Sequence, residues 1–268
     1  MLAQTLTHPV DHPALMRSNS PKTSTLVNSA VNGASCWTCR LRSTCVPPGM
    51  SDAELEQFAA LVISHRRLKI GQALYRAGDA FKGIYVVRSG FVKSVALLED
   101  GREQVTGFYT GGDILGIDAI GSIIHPTDAV ALEDSDVCLI SYERMEQSSR
   151  DVLPFQRYLH RAFSVEVGRK QAMMVLLGSM RAEERLATFL LNLSQRLTER
   201  GFSPSDFLLR MSREEIGSFL GMKLETVSRV FSKLQREGLL QVDTKHVRLV
   251  NIEGLRGMFH PETNASGR

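Results

Sequence analysis

The chain has neither a membrane-spanning stretch nor a secretion signal. Its longest unbroken apolar runs, such as residues 172–177, are far shorter than the roughly 20 residues of a transmembrane helix. The first 16 residues contain no Lys or Arg and no apolar core, which excludes the usual layout of a secretory signal. We therefore expect a cytoplasmic protein without a membrane partner.

Signatures of the common enzymes are missing as well. The 7 histidines lie at no metal-ligand spacing from one another and beside no nucleophile signature, and the chain contains no phosphate-binding loop. Each histidine is predicted to be an ordinary surface or turn residue. We expect the protein not to be an enzyme.

The composition is that of a globular protein whose charge is unevenly distributed. Hydrophobic residues make up 43% and charged residues 23%, and 268 residues allow about two domains. The net charge is +3, with −3 in residues 51–180 and +3 in residues 181–268. The basic C-terminal part is therefore the better place to look for nucleic-acid binding.

Turn residues and apolar periodicity divide the chain into segments of different character. The N-terminal residues are rich in Ser, Thr, Asn and Pro and are expected to be flexible. The predicted segments are a leader (1–35), a cysteine-rich segment (36–50), a β-rich domain (51–152), a long helix (153–180), a helical C-terminal domain (181–260) and a tail (261–268).

The β-rich domain has the turn spacing of a sandwich or barrel. Asp100-Gly101 lies between two β-rich runs and predicts a hairpin. A helix is predicted to begin near residue 51, with Leu55, Phe58 and Val62 on its apolar side. The predicted strands are 84–87, 91–97, 104–109, 128–132 and 137–141.

A long helix follows Pro154 and continues to about residue 177. Its apolar residues lie near one stripe, to which Phe163, Val167 and Met174 belong. A helix of this length with an apolar seam favours dimerisation. Packing against its own sheet is the alternative.

Residues 212–238 have the pattern of two short helices joined through a glycine turn. Ser212 opens a capping box, Gly221 breaks the first helix, and the second helix is predicted over residues 225–236. Two β-rich runs within residues 239–250 predict a small wing. In DNA-binding proteins this arrangement places the second helix in the major groove, and an ordinary helical hairpin is the alternative.

Polar residues share one face near the start of that second helix. Arginine bonds guanine with two hydrogen bonds, glutamate accepts from cytosine, and serine bonds several bases. Lys223 stands at the expected N-cap, where Ser or Thr would cap better. The candidate base-reading residues are Glu225, Ser228 and Arg229.

The four cysteines form an uneven pattern. Cys36, Cys39 and Cys45 are close in sequence, and Cys138 follows on a predicted strand. In a cytoplasmic protein, clustered thiols indicate metal or redox chemistry rather than structural disulfides. The residues alone allow an iron–sulfur cluster, a tetrahedral zinc site, or surface thiols with one core cysteine.

Taken together, these segments resemble the CRP/FNR family of bacterial transcription regulators, and within it the oxygen-responsive FNR branch. The likeness covers about residues 35–258. The family implies an α+β fold with a cyclic-nucleotide-binding-like β-roll, a long dimerisation helix and a C-terminal winged helix-turn-helix. The most specific stretches are the four cysteines and residues 182–187, 200–204 and 225–229.

The resemblance implies a global regulator of the anaerobic response, switched off when oxygen converts its cluster. One 4Fe–4S cluster is then held by Cys36, Cys39, Cys45 and Cys138. The base-reading residues at a TTGAT-N4-ATCAA-type palindrome are then Glu225, Ser228 and Arg229. The homodimer seam passes through Phe163, Val167 and Met174, and RNA polymerase is contacted near Asp100 and Gly101.

Other readings of the same fold stay open. A zinc-stabilised regulator and a thiol–disulfide switch use the same cysteines. A cyclic-nucleotide pocket needs an arginine, which residues 125–129 lack, and the Gly112-Asp113 turn is a weak signal for it. Arg40 is a departure from the expected pattern, since a cation beside Cys39 favours the more negative state of a cluster.

Overall fold

The computed structural model describes residues 34–46, 50–149 and 153–258. The predicted tail and almost all of the predicted leader lie outside the described residues. None of the described helices combines the length and apolar composition needed to cross a bilayer.

Helices and strands alternate in blocks along the described chain. The helices are α1 (Ala34–Trp37), α2 (Arg42–Cys45), α3 (Asp52–Ala60), α4 (Tyr142–Ser149), α5 (Leu153–Ser179), α6 (Ala182–Thr198), α7 (Arg213–Leu220), α8 (Leu224–Arg236) and α9 (Ile252–Gly257), with a 3-10 turn at Ile117–Ala119. The strands are β1 (Val62–Leu68), β2 (Ala73–Tyr75), β3 (Gly83–Ser89), β4 (Phe91–Leu97), β5 (Glu103–Thr110), β6 (Ile114–Leu115), β7 (Asp128–Ala131), β8 (Ser135–Ser141), β9 (Asp206–Leu208), β10 (Leu240–Asp243) and β11 (His246–Leu249).

Eight strands of the described residues form a β-roll of two antiparallel sheets, ordered β1-β8-β3-β6 and β2-β7-β4-β5. Apolar side chains from both sheets fill the space between them, among them Val87, Val92 and Val137. The β4–β5 hairpin turns at Asp100-Gly101 as predicted, because Gly101 adopts a φ of +84°. The expected α+β fold is confirmed.

The differences from the predicted strands have a physical reason. Strand β1 includes His65-Arg66-Arg67, so its sequence lacks an apolar alternation, and it is a strand because it pairs with β8. Val62 was expected on the helix that begins near residue 51, but it is the first residue of β1. The short elements β2, β6, α4, β9 and α9 were not predicted.

The C-terminal domain packs onto the β4–β5 hairpin. Lys93 pairs with Glu215 of α7 (Nζ–Oε1, 2.7 Å), and the backbone N–H of Val105 donates to Ser218 Oγ at 2.9 Å. Phe108 of β5 joins the same apolar core as α6, α7 and α8. The hairpin therefore fixes how the helix-turn-helix sits on the β-roll.

His125 is not the surface or turn residue that the sequence predicted. Its ring is 1% exposed and stacks on Tyr75 with ring centroids 3.8 Å apart. The backbone holds it inside, since His125 donates to the carbonyl of Asp79 and accepts from Gly78, both at 2.9 Å. Neither ring nitrogen has a hydrogen-bond partner among the described residues.

Burial lowers the pKa of His125 below its ordinary 6.5, although Asp118 and Asp79 act in the opposite direction. Below that value the unfolded chain takes up a proton that the folded chain resists. We therefore expect the free energy of unfolding to fall as the pH drops below about 6.5, and His125→Phe to weaken this fall. Urea unfolding at about pH 8 and about pH 5.5 measures this fall in both proteins. An equal loss of unfolding free energy in the wild type and in His125→Phe would contradict the prediction.

Candidate functional site

The structure brings the cysteine-rich segment against the β-roll beside Cys138. Short helices α1 and α2 end at Trp37 and Cys45, and the N–H of Cys45 donates to the carbonyl of Leu41 at 2.8 Å. Cys36, Cys45 and Cys138 all pack against one apolar cluster, formed by Phe58, Leu61, Val62, Ile84, Val86, Ile140 and Met145. Residues far apart in sequence thus share one site.

Burial keeps the thiols of Cys45 and Cys138 protonated in the protein without a metal. It raises the pKa of Cys45 to about 12, and Cys39 and Cys36 add to the rise, whereas Arg200 and Arg88 oppose it. Burial likewise raises the pKa of Cys138 to about 12, with Cys36 and Cys45 again contributing. A bound metal must therefore displace their protons.

Two arginines supply the positive charge around the thiols. Arg88 of β3 hydrogen-bonds Cys39 and pairs with Asp136 at 2.8 Å. Arg200 acts on Cys45 from the end of α6. Arg40, which the sequence singled out, is exposed. Sequence adjacency suggested Arg40, whereas the pairing of β3 with β8 places Arg88 near Cys138.

This donor set fits an iron–sulfur cluster, because four cysteine thiolates are its usual ligands. The pair of nearby arginines suits the negative charge that such ligands bring. Across the described residues, no three or more His, Cys, Asp or Glu side chains are arranged to hold a single metal ion.

Asp113 forms a buried ion-pair cluster that the sequence did not reveal. Its side chain is 2% exposed and, among the described residues, contacts three arginines: Arg169 at 3.0 Å, Arg200 at 3.1 Å, and Arg196. Burial alone would raise the pKa of Asp113, but Arg196, Arg169 and Arg200 hold it below its usual range. The Gly112-Asp113 turn, read as a weak nucleotide signal, thus serves an internal contact.

The stretch that would meet a cyclic phosphate carries one carboxylate, Asp128, and a second one, Asp118, contacts it through Thr127. Asp128 pairs with Arg76 (Oδ2–Nη1, 2.5 Å), and Thr127 donates to Asp118 at 3.2 Å. Asp128 therefore already pairs with Arg76 beside this stretch. A cyclic phosphate placed here would face negative charge.

Helix α8 presents one polar and one apolar face. Glu225 and Arg229 are exposed and Ser228 is half-buried, all within its first turns. Lys223 is the N-cap and makes no side-chain capping bond. The opposite face is buried through Val227, Val230, Phe231 and Leu234.

Arg185 fixes the helix-turn-helix to the end of α5. Its guanidinium donates to the carbonyls of Leu177 (2.7 Å), Met180 (2.9 Å) and Leu220 (3.1 Å). Gly221 ends α7 with a φ of +63°, and α8 begins three residues later. Strands β9, β10 and β11 form the predicted wing, with one additional strand.

The remaining predicted sites lie at the surface. On α5, Val167 is 56% and Met174 73% exposed, and Phe163 is half-buried. Asp100 and Gly101 are exposed at the tip of the β4–β5 hairpin, where Asp100 pairs with Arg102 at 2.7 Å.

Comparisons with known proteins agree with this architecture. A cyclic nucleotide-binding domain matches residues 65–150, and a Crp-like helix-turn-helix domain matches residues 184–258. The chain is 42% identical over 232 residues to the transcriptional regulatory protein btr of Bordetella pertussis, covering 87% of this chain and 96% of that protein. It is 40% identical to the fumarate and nitrate reduction regulatory protein of Escherichia coli K12, covering 82% and 88%.

The chain belongs to the CRP/FNR family. Members of this family are DNA-binding transcription regulators rather than enzymes. Among solved structures, FixK2 from Bradyrhizobium japonicum is 31% identical with a TM-score of 0.67, covering 72% of this chain and 96% of FixK2. The c-di-GMP responsive regulator CLP of Xanthomonas campestris is 28% identical with a TM-score of 0.58, covering 74% and 99%.

For a CRP/FNR regulator, the exposed Arg229 is expected to read a guanine. Arg229→Ala should cost about 1–3 kcal/mol of binding free energy at the cognate site and relax discrimination at that base pair. Arg236→Ala, on the exposed last turn of the same helix, is the control and should weaken all sequences slightly and equally. Fluorescence anisotropy with single-base variants measures both, and a uniform loss in Arg229→Ala would make it a phosphate contact.

Proposed function

We propose that this protein is an oxygen-responsive regulator of anaerobic genes. In this proposal Cys36, Cys39, Cys45 and Cys138 hold one 4Fe–4S cluster, and the cluster-loaded homodimer binds a TTGAT-N4-ATCAA-type palindrome. The observation that carries it is the convergence of an N-terminal cysteine segment and a β-roll cysteine on one buried site. The resemblance of the cysteine spacing to the FNR branch supports the same conclusion.

When bound, such a cluster supplies a redox-active centre that is sensitive to oxygen. The chain's own contribution is to tie residues 36–45 to β8 through the Cys138 thiol. Without that tie, the segment is held by non-covalent contacts, among them its packing on the β-roll and the interaction of Arg88 with Cys39. The state of the site thus decides how firmly the segment stays on the β-roll.

The switch acts by changing the monomer–dimer equilibrium of the protein, in which α5 forms the contact between the two copies. The exposed stripe of Val167 and Met174 leaves apolar surface that a second copy of the helix covers. A dimer places two α8 helices at the two half-sites of a palindrome and doubles the phosphate contacts. A monomer therefore binds DNA weakly.

The β4–β5 hairpin is the proposed contact with RNA polymerase. Asp100 and Gly101 lie exposed at its tip, and the same hairpin packs on α7 through Lys93 and Glu215. A protein bound there would sit beside the DNA-bound domain.

A thiol–disulfide switch is the second use of these cysteines. It depends on thiolates, and the buried Cys45 and Cys138 stay protonated at neutral pH. A zinc site instead predicts a colourless, zinc-containing protein.

Replacing Cys138 should abolish cluster binding, because it removes the single ligand from the β-roll. We expect anaerobically purified Cys138→Ala to lack the absorption band near roughly 400 nm and to lose iron and acid-labile sulfide. Ser141→Ala, on the same strand, should retain all three. A Cys138→Ala protein with full iron content would contradict the four-ligand proposal.

Charging the stripe of α5 should weaken the dimer. Met174→Glu places two carboxylates in the apolar seam, so we expect the dimer dissociation constant to rise at least about tenfold, which needs only about 1.4 kcal/mol. Arg161→Glu, on an exposed face of α5 away from the stripe, is the control. Sedimentation of anaerobic protein measures the effect, and equal constants would place the dimer contact elsewhere.

A further inference from the structure

The loop of residues 110–113 lies between the cysteine segment on one side and helices α5 and α6 on the other. It is fixed to β3, since Gly112 donates to Val87 at 2.8 Å and Val87 donates back to Asp113 at 3.0 Å. The N–H of Thr110 donates to Asp113 Oδ2 at 2.7 Å. This loop and its carboxylate are therefore rigidly placed.

On one side the loop touches helix α2. A Cβ added at Gly112 would stand 2.6 Å from Thr44 Cγ2, and one at Gly111 would stand 3.6 Å from Leu41 Cδ1. Thr44 is the immediate neighbour of Cys45. The cysteine segment thus rests directly on the backbone that carries Asp113.

On the other side Asp113 holds two helices. Arg169 belongs to α5, two residues after Val167 of the exposed stripe. Arg196 belongs to the last turn of α6, which begins the C-terminal domain, and Arg200 follows that helix and also donates to the carbonyl of Gly111. One buried carboxylate therefore joins the β-roll to the dimer helix and to the DNA-binding domain.

We propose that Asp113 is the positioning residue that transmits the state of the cysteine segment to both α5 and α6. The inference rests on the proposed function, because it assigns the path by which that site acts. The side chains of Arg196 and Arg200 are largely buried against this carboxylate, and the more exposed Arg169 reaches it from α5. A displacement of α2 changes the packing on Gly112 and shifts all three together.

The steric contact between Gly112 and Thr44 can be tested by comparing two glycines that have nearly the same backbone φ. Gly112 and Gly78 have φ values of +88° and +89°, but only at Gly112 does an added Cβ meet other atoms within 4 Å. Gly112→Ala and Gly78→Ala therefore share the backbone strain and differ in the contact with α2. Thr44→Ser removes the clashing methyl and should rescue Gly112→Ala.

Two measurements distinguish a change in the coupling between the cysteine segment and α5 from a general loss of protein stability. In metal-free reduced protein, we expect hydrogen exchange of residues 166–176 to be at least about tenfold faster in Gly112→Ala than in Gly78→Ala. In anaerobic protein, we expect the ratio of dimer dissociation constants without and with the cluster to fall toward one in Gly112→Ala, whereas Gly78→Ala keeps the wild-type ratio.

Arg169→Gln tests the link to α5 alone, in case Gly112→Ala does not fold. It should lower the same ratio while leaving the absorption band intact, and Arg161→Gln should change neither. Equal exchange rates together with wild-type ratios in both Gly112→Ala and Arg169→Gln would overturn the assignment to Asp113. A wild-type protein without the absorption band would overturn the proposed function, and the exchange comparison would still decide the role of Asp113.

Discussion

The buried carboxylate of Asp113 is the contact on which the arrangement of the molecule depends. It pairs with Arg169 of α5 and with Arg196 of α6, and it lies in the loop beneath the cysteine segment. Removing one partner of a buried ion pair typically costs about 3–5 kcal/mol, because the other charge stays unpaired. The β-roll, the dimer helix and the DNA-binding domain therefore cannot separate freely at this point.

These contacts of Asp113 offer a physical path by which a protein with this family's fold can be regulated. The β-roll strands of a CRP/FNR protein form a pocket-like domain, yet here the stretch of residues 125–129 carries the carboxylate of Asp128 and a buried histidine. In the proposed function the signal is received instead by the cysteine segment, which packs on the β-roll beside Cys138. Under that proposal the same scaffold serves a different input, while the polar face of α8 keeps the role of contacting DNA.

Local patterns in the sequence predicted what local forces determine. Strand β4 was predicted from its β-rich residues and the Asp100-Gly101 turn that follows, and the two faces of α8 were predicted from helical spacing. Residues fixed by distant partners were not found. Strand β1 carries His65-Arg66-Arg67 and becomes a strand only through pairing with β8.

The same limit applies to the candidate site. The spacing of the cysteines indicated a shared site, but the cations beside it come from β3 and α6, far away in sequence. In the sequence Asp113 is one residue of a turn, and only the structure shows the three arginines that pair with it. His125 was expected at the surface because its neighbours show no period that would predict burial.

The most direct test of the central claim follows one anaerobically purified sample through exposure to air. Absorbance near roughly 400 nm and sedimentation are recorded together, with palindromic DNA added before and after. The account predicts a brown dimer that binds DNA, and loss of colour, dimer and DNA binding in parallel on aeration. A colourless protein whose dimer and DNA affinity are unchanged by air would contradict it.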